Sequence, residues 1–169
     1  MKLNYYIYLM KDKDIVKFVN KEVDKLCKLL EVDCERDCQI EDSETGVKYI
    51  KVSFEGQDLG YLIGNRGRHM DSLQFILQVI IGRQLDEGTD FRVFVDVGDY
   101  RKAKDESLEQ MALQKADDAR LLGEEIELPP MKPSDRRVVH LTLDKFKDIK
   151  TESRGEDRDR HIVIVPIKE

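Results

Sequence analysis

Two short stretches carry residues whose types and spacing could do chemistry. The first is GYLIGNRGRHMDSLQFILQVI, Gly60 to Ile80, in which Gly64 and Gly67 stand three apart ahead of an apolar helical pattern. Arg66, Arg68 and His69 crowd that turn, and no acidic side chain falls between Gly60 and Met70. On spacing alone the pair reads as a tight helix–helix turn. The basic neighbours favour a second reading. Missing side chains at Gly64 and Gly67 would let a sugar–phosphate backbone approach the main chain, and the first N–H groups of the following helix favour anionic oxygens. In that reading Asn65 and Arg66 are the variable tip, Arg66 and Arg68 supply charge, and Ile63 floors an apolar groove for bases.

The second stretch is PSDRRVVHLTL, where Arg136 and His140 stand one helical turn apart and share a face. No nucleophile or acid/base partner accompanies them locally, so the pair does not read as catalytic. Asp96 and Asp99 are more simply a strand residue and a helix cap than a carboxylate pair. There is no G-x-x-x-x-G-K-[ST] loop for a nucleotide phosphate. Cys27, Cys34 and Cys38 form no C-x-x-C pair and lie far from the three histidines, which argues against a zinc site and a disulfide framework and for a reducing cytoplasm. The expectation is a protein that is not an enzyme and has no cofactor or metal.

The elements that must position these residues follow from periodicity. Asp14–Leu30 places Ile15, Val19, Val23, Leu26 and Leu30 at helical spacing. Val47–Phe54 alternates, with Ile50, Val52 and Phe54 on one face, and a partner strand is expected near Cys34–Glu41. Leu59–Ile63 is a short helical piece. Arg68–Gln84 is a helix with Met70, Leu73, Leu77 and Ile80/Ile81 on its apolar face. Phe91–Val97 is a strand with Phe91, Val93, Val95 and Val97 inward. The order is α-β-β-α-α-β. Asp99 then stands as an N-cap for a long helix closed by Gly123, with Leu108, Ala112, Ala116, Ala119 and Leu122 as its buried stripe. A short extended piece, a helix over Ser134–Leu143 and two final strands complete the chain.

The sequence has 169 residues, 40% hydrophobic and 38% charged, with four prolines and no tryptophan. That suits two small domains, a first over 14–98 and a second over 99–169, joined by a residue or two and held rigidly together. Residues 1–13 read as an N-terminal lead-in: their apolar run is short and no small-residue cleavage site follows it. No run is long enough to span a bilayer. The net charge is −6, divided as −4 over residues 1–98 and −2 over 99–169. An acidic whole does not draw polyanions from a distance, so nucleic-acid binding requires a local patch, and a protein partner is the competing reading.

The first half, with LIGNRG as its sharpest element, resembles a KH domain of the prokaryotic type II order, whose G-x-x-G loop clamps about four nucleotides of single strand. In the second half, DYRKAKDESL, LPPMKPSDRRVVH and TESRGEDRDRHIVIVP resemble the R-3-H (R-x-x-x-H) domain, an α/β module with helices on a three-stranded sheet, associated with single-stranded nucleic acid. Arg136 and His140 match its defining pair, and Arg101, Arg137 and Arg160 are nearby matches. A KH domain followed by an R-3-H domain is the arrangement of the bacterial Jag/KhpB family. Its members often carry a further N-terminal Jag-N domain and a linker, whereas here at most a dozen residues precede the first helix.

The resemblance implies an α+β, cytoplasmic, non-catalytic protein that binds single-stranded RNA, or single-stranded DNA, without inserting into a membrane. It further implies an RNA chaperone or post-transcriptional regulator linked to cell elongation and sporulation, with a small separate KH protein as partner. The alternative is a protein-interaction adaptor associated with the membrane insertase system.

Overall fold

The computed structural model describes residues 11–85 and 89–167, so most of the expected lead-in, residues 1–10, lies outside the described residues. The chain divides into two compact units, the first through Tyr100 and the second from Arg101. It is a mixed α+β protein with two three-stranded sheets.

The first unit opens with helix α1, Asp12–Leu29, which buries Ile15, Val19, Val23 and Cys27. Leu30, expected as the last member of that stripe, is 50% exposed. The helix ends one residue earlier, Glu31 takes a φ of 53°, and the chain folds back so that the Val32 N–H bonds the Cys27 carbonyl at 2.9 Å. Val32 is buried in its place.

Strands β1 (Glu35–Asp42) and β2 (Lys48–Glu55) pair antiparallel with Cys38 opposite Val52 and Ile40 opposite Ile50. After α2 (Gly60–Ile63), a 3₁₀ turn (Asn65–Gly67) and α3 (Arg68–Gly82), strand β3 (Phe91–Val97) joins β2 in parallel, giving the order β1-β2-β3. The expected order of elements is the observed one. Alternation buries Ile50, Val52 and Phe54 with Val93, Val95 and Val97, and α3 lays Met70, Leu73, Leu77 and Ile81 on the same core. Ile80 is only half-buried, and α3 stops at Gly82, two residues short of the expected Gln84. Helix α3 also bonds to the β3 edge of the sheet. The Gln78 and Gln74 side-chain oxygens accept the Val93 and Val95 N–H groups at 2.8 and 3.2 Å, so these donors of β3 are not left for another strand.

The second unit contains α4 (Tyr100–Leu122), β4 (Ile126–Glu127), α5 (Pro133–Leu143), β5 (Ile149–Arg154) and β6 (His161–Pro166), with an antiparallel sheet ordered β4-β6-β5. Ala112, Ala116 and Ala119 pack with Val139, Leu143, Ile149, Ile162 and Ile164. The stripe is narrower than expected: Leu108 is half-buried and Leu122 is 63% exposed. Gly123, at φ 67°, ends α4 with its N–H on the Ala119 carbonyl at 2.8 Å. Asp99 directly precedes α4, at the position expected of its N-cap, and has a φ of 55°, in the left-handed region and not the extended backbone usual for a cap.

Candidate nucleic-acid interface

The turn after α2 is built on three positive-φ positions within four residues. Gly64 has φ 67° and ψ −172°, a region essentially closed to residues with a Cβ, while Arg66 (φ 55°) and Gly67 (φ 79°) are left-handed. This backbone throws the exposed side chains of Asn65 and Arg66 outward ahead of α3, with exposed Arg68 beside them.

Both glycines have an internal reason. A Cβ on Gly64 would lie 2.6 Å from Nδ1 and 2.7 Å from Cδ2 of His69. That imidazole is held in place because its Nδ1 donates to the Tyr61 carbonyl at 2.7 Å. A carbonyl only accepts, so Nδ1 carries the proton and Nε2 is the ring's remaining nitrogen. A Cβ on Gly67 would meet the Tyr100 ring at 3.0 Å. The space that a Cβ would take at Gly64 is therefore held by the His69 ring. Ile63, expected as the groove floor, is half-buried and packs against the core of the first unit. Two to three turns further along α3, Phe75, Ile76 and Val79 are exposed to solvent.

In the second unit the Arg–His pair is tied into its surroundings. Arg136 Nη1 donates to the Met131 carbonyl at 2.8 Å, pinning the proline-punctuated loop to α5. His140 Nδ1 shares a 2.6 Å hydrogen bond with the Thr151 hydroxyl, joining α5 to β5. Burial first, and the Arg136 guanidinium second, hold the His140 pKa below its ordinary value, so the ring is kept neutral. Arg137 is exposed on the same helix, Arg160 is exposed with its Nε on the Ser153 hydroxyl at 2.9 Å, and Arg101 is half-buried on α4.

Sequence reasoning missed what sets the register of α5. Asp135 is 7% exposed, and Lys104 from α4 reaches both of its carboxylate oxygens at 2.7 Å, with Ser134 Oγ donating at 3.1 Å. Lys104 and Asp135 are 31 residues apart, and no local pattern signals such a pair. On the sheet, Arg154 pairs with Glu125 and Glu152, and hydrogen bonds from Lys150 and then Arg154 pull the Glu152 pKa down to about 2. Among the described residues no group of three or more His, Cys, Asp or Glu is placed to hold a metal ion, and no helix is long and apolar enough to cross a membrane.

The R-3-H domain model matches residues 106–166, which takes in Arg136, Arg137, His140 and Arg160 and leaves Arg101 outside. Over most of its length the chain is also similar to two curated bacterial proteins, each named RNA-binding protein KhpB. That of Clostridium symbiosum is 34% identical over 128 residues, and that of Bacillus subtilis is 34% identical over 130. The chain belongs to the Jag/KhpB family. The aligned part covers 76% of this chain in both cases, and 56% and 60% of the two relatives. A third KhpB, from Lactiplantibacillus plantarum, is 29% identical over 123 residues, 73% of this chain and 38% of that one. In this chain Arg136 and His140 tie α5 to the preceding loop and to β5, and Arg137 and Arg160 are exposed.

Proposed function

We propose that the protein is a non-catalytic binder of single-stranded RNA whose first unit is a type II KH domain and whose second is the R-3-H domain. The observation that carries the reading is the turn at Gly64–Gly67. It has an exposed Asn65–Arg66 tip with Arg68 beside it, no carboxylate at the tip, and a position between two helices of an α-β-β-α-α-β unit. Asn65, Arg66 and Arg68 supply hydrogen bonds and charge to phosphates, and Ile63 lies at the apolar edge along which bases would stack. The KhpB relatives, named as RNA-binding proteins, support the same substrate class. Arg137 and Arg160 extend the contact in the second unit, and Arg136 and His140 hold the helix that carries Arg137. Arg101 belongs to the proposed basic set on resemblance alone.

A role as RNA chaperone or post-transcriptional regulator in cell elongation and sporulation, a cytoplasmic location and a small separate KH protein as partner rest on the family resemblance. The adaptor reading draws on one observation, the exposed Phe75, Ile76 and Val79 of α3 on an acidic protein. A competition gel separates single-strand reading from shape reading. An unlabelled single strand displaces a labelled one better than a duplex of the same sequence does, because a groove that reads unstacked bases cannot take them paired. Equal or better displacement by the duplex overturns the proposal.

A further inference from the structure

Three thiols lie in the first unit, and two of them are neighbours. Cys27, on the last turn of α1, has its Sγ 3.9 Å from that of Cys34, in the segment that leads into β1. We propose that Cys27 and Cys34 are an oxidative modification site: a peroxide converts them to an intramolecular disulfide and leaves Cys38 as a thiol.

The two members differ in access, which sets the order of events. Cys34 is half-buried and lines an open cleft with Asp33, Glu35, Glu55 and Gly56. Cys27 is 5% exposed. The cleft walls are acidic, so a neutral two-electron oxidant such as hydrogen peroxide enters where an anionic reagent is repelled. In the first step the Cys34 sulfur attacks one peroxide oxygen, the O–O bond breaks, and Cys34 becomes a sulfenic acid with release of water. In the second step the Cys27 sulfur attacks the sulfenic sulfur. The S–O bond breaks, and the departing hydroxide leaves as water with the Cys27 proton. Two thiols and one peroxide give one disulfide and two waters.

The backbone allows closure at this pair. A disulfide needs its sulfurs about 2.05 Å apart, so the two must approach by roughly 2 Å. Cys34 precedes the first ladder pair, Glu35 opposite Glu55, so its backbone is not locked in the sheet. Leu29 and Leu30, at the end of α1, are 80% and 50% exposed and give that end room to adjust. Cys38 has neither freedom. It sits mid-ladder opposite Val52, 7% exposed in the core, and burial raises its pKa to about 11. The Cys27 pKa is also raised to about 11, first by burial and then by Cys34, which fits a second partner that waits for an activated sulfur and not a first attacker.

Trypsin places the three cysteines on separate peptides: Leu26–Lys28, Leu29–Arg36 and Asp37–Lys48. Fully reduced protein is treated with a small excess of hydrogen peroxide, quenched with N-ethylmaleimide in guanidinium chloride so that the buried thiols are labelled, then diluted and digested without reductant. The expected product joins Leu26–Lys28 to Leu29–Arg36, is two hydrogens lighter than their sum, comes from a protein that migrates as a monomer on a non-reducing gel, and separates on adding dithiothreitol. The Asp37–Lys48 peptide carries maleimide. In Cys27→Ser, Cys34 stops at the sulfenic acid and is trapped by dimedone. In Cys34→Ser, Cys27 stays reduced. A bridge that includes Cys38, a link between chains, or three maleimide-labelled cysteines after the parent protein is treated overturns the proposal. The readout is independent of RNA.

Discussion

Replacing Gly64 by Ala tests the construction of the turn. At φ 67° and ψ −172° a residue with a Cβ pays backbone strain of about 1–3 kcal/mol. The new methyl would also stand 2.6 Å from His69 Nδ1. His69 is exposed and can swing away, at the loss of its hydrogen bond to the Tyr61 carbonyl, about 1 kcal/mol. The expected destabilisation is the sum, about 2–4 kcal/mol. Because Gly64→Ala already breaks the His69 bond, the double variant Gly64→Ala/His69→Ala should fall short of the two single effects added together by about 1 kcal/mol. Gly60→Ala is the control: its Cβ meets nothing within 4 Å, and it should be neutral or stabilising by up to about 1 kcal/mol. Urea unfolding followed by tyrosine fluorescence is the assay. All six tyrosines lie at or before Tyr100 and there is no tryptophan, so the signal reports the first unit alone. A Gly64→Ala protein within about 0.5 kcal/mol of the parent, or strict additivity with His69→Ala, refutes the packing of His69 over Gly64.

Three further outcomes follow from the second unit. Asp135→Ala leaves the Lys104 ammonium without its buried partner and should cost about 3 kcal/mol, seen as an earlier far-ultraviolet circular dichroism transition with the tyrosine transition unmoved; Lys104→Met in the same protein should restore most of it. His140 is kept neutral when folded, so between its lowered pKa and about 6.5 the unfolded chain binds more protons than the folded one. Stability of the second unit should therefore be full above that range, fall as pH drops through it, and level off below, and His140→Gln should flatten this part of the circular dichroism stability curve. If Arg137 and Arg160 contact phosphates, the log–log salt slope for a long single strand should become shallower by about 0.7 for each of them changed to Ala. An unchanged slope removes that residue from the RNA path.

Much of the fold was legible because the cores obey simple periods. Met70, Leu73, Leu77 and Ile81 follow the helical repeat, and Ile50, Val52 and Phe54 the strand repeat, and all are buried. Errors fell where an element stops. Leu30 and Leu122 continue their helices' spacing past the last packed turn, and periodicity carries no information about where packing ends. In the turn, the two glycines were legible but their immediate reason was not. The ring of His69 lies over Gly64 only once the backbone has taken its positive φ, a three-dimensional fact with no sequence period. Likewise Arg136 and His140 could be read as a shared helical face, but their partners, the Met131 carbonyl and Thr151, come from a loop and a strand that helix spacing does not address. Consequently Arg136→Ala and His140→Ala would disturb packing as well as any RNA contact, and Arg137 and Arg160 are the cleaner probes.

The most direct test of RNA binding at the Gly64–Gly67 turn is a fluorescence anisotropy titration of a labelled single-stranded RNA with the parent and with Asn65→Asp/Arg66→Asp. Both side chains are exposed, so the fold should survive, and carboxylates at the tip would meet phosphate at close range. The prediction is saturable binding by the parent and none by the variant, whose circular dichroism spectrum and tyrosine unfolding transition match the parent's. Equal affinity in a natively folded variant would contradict the account.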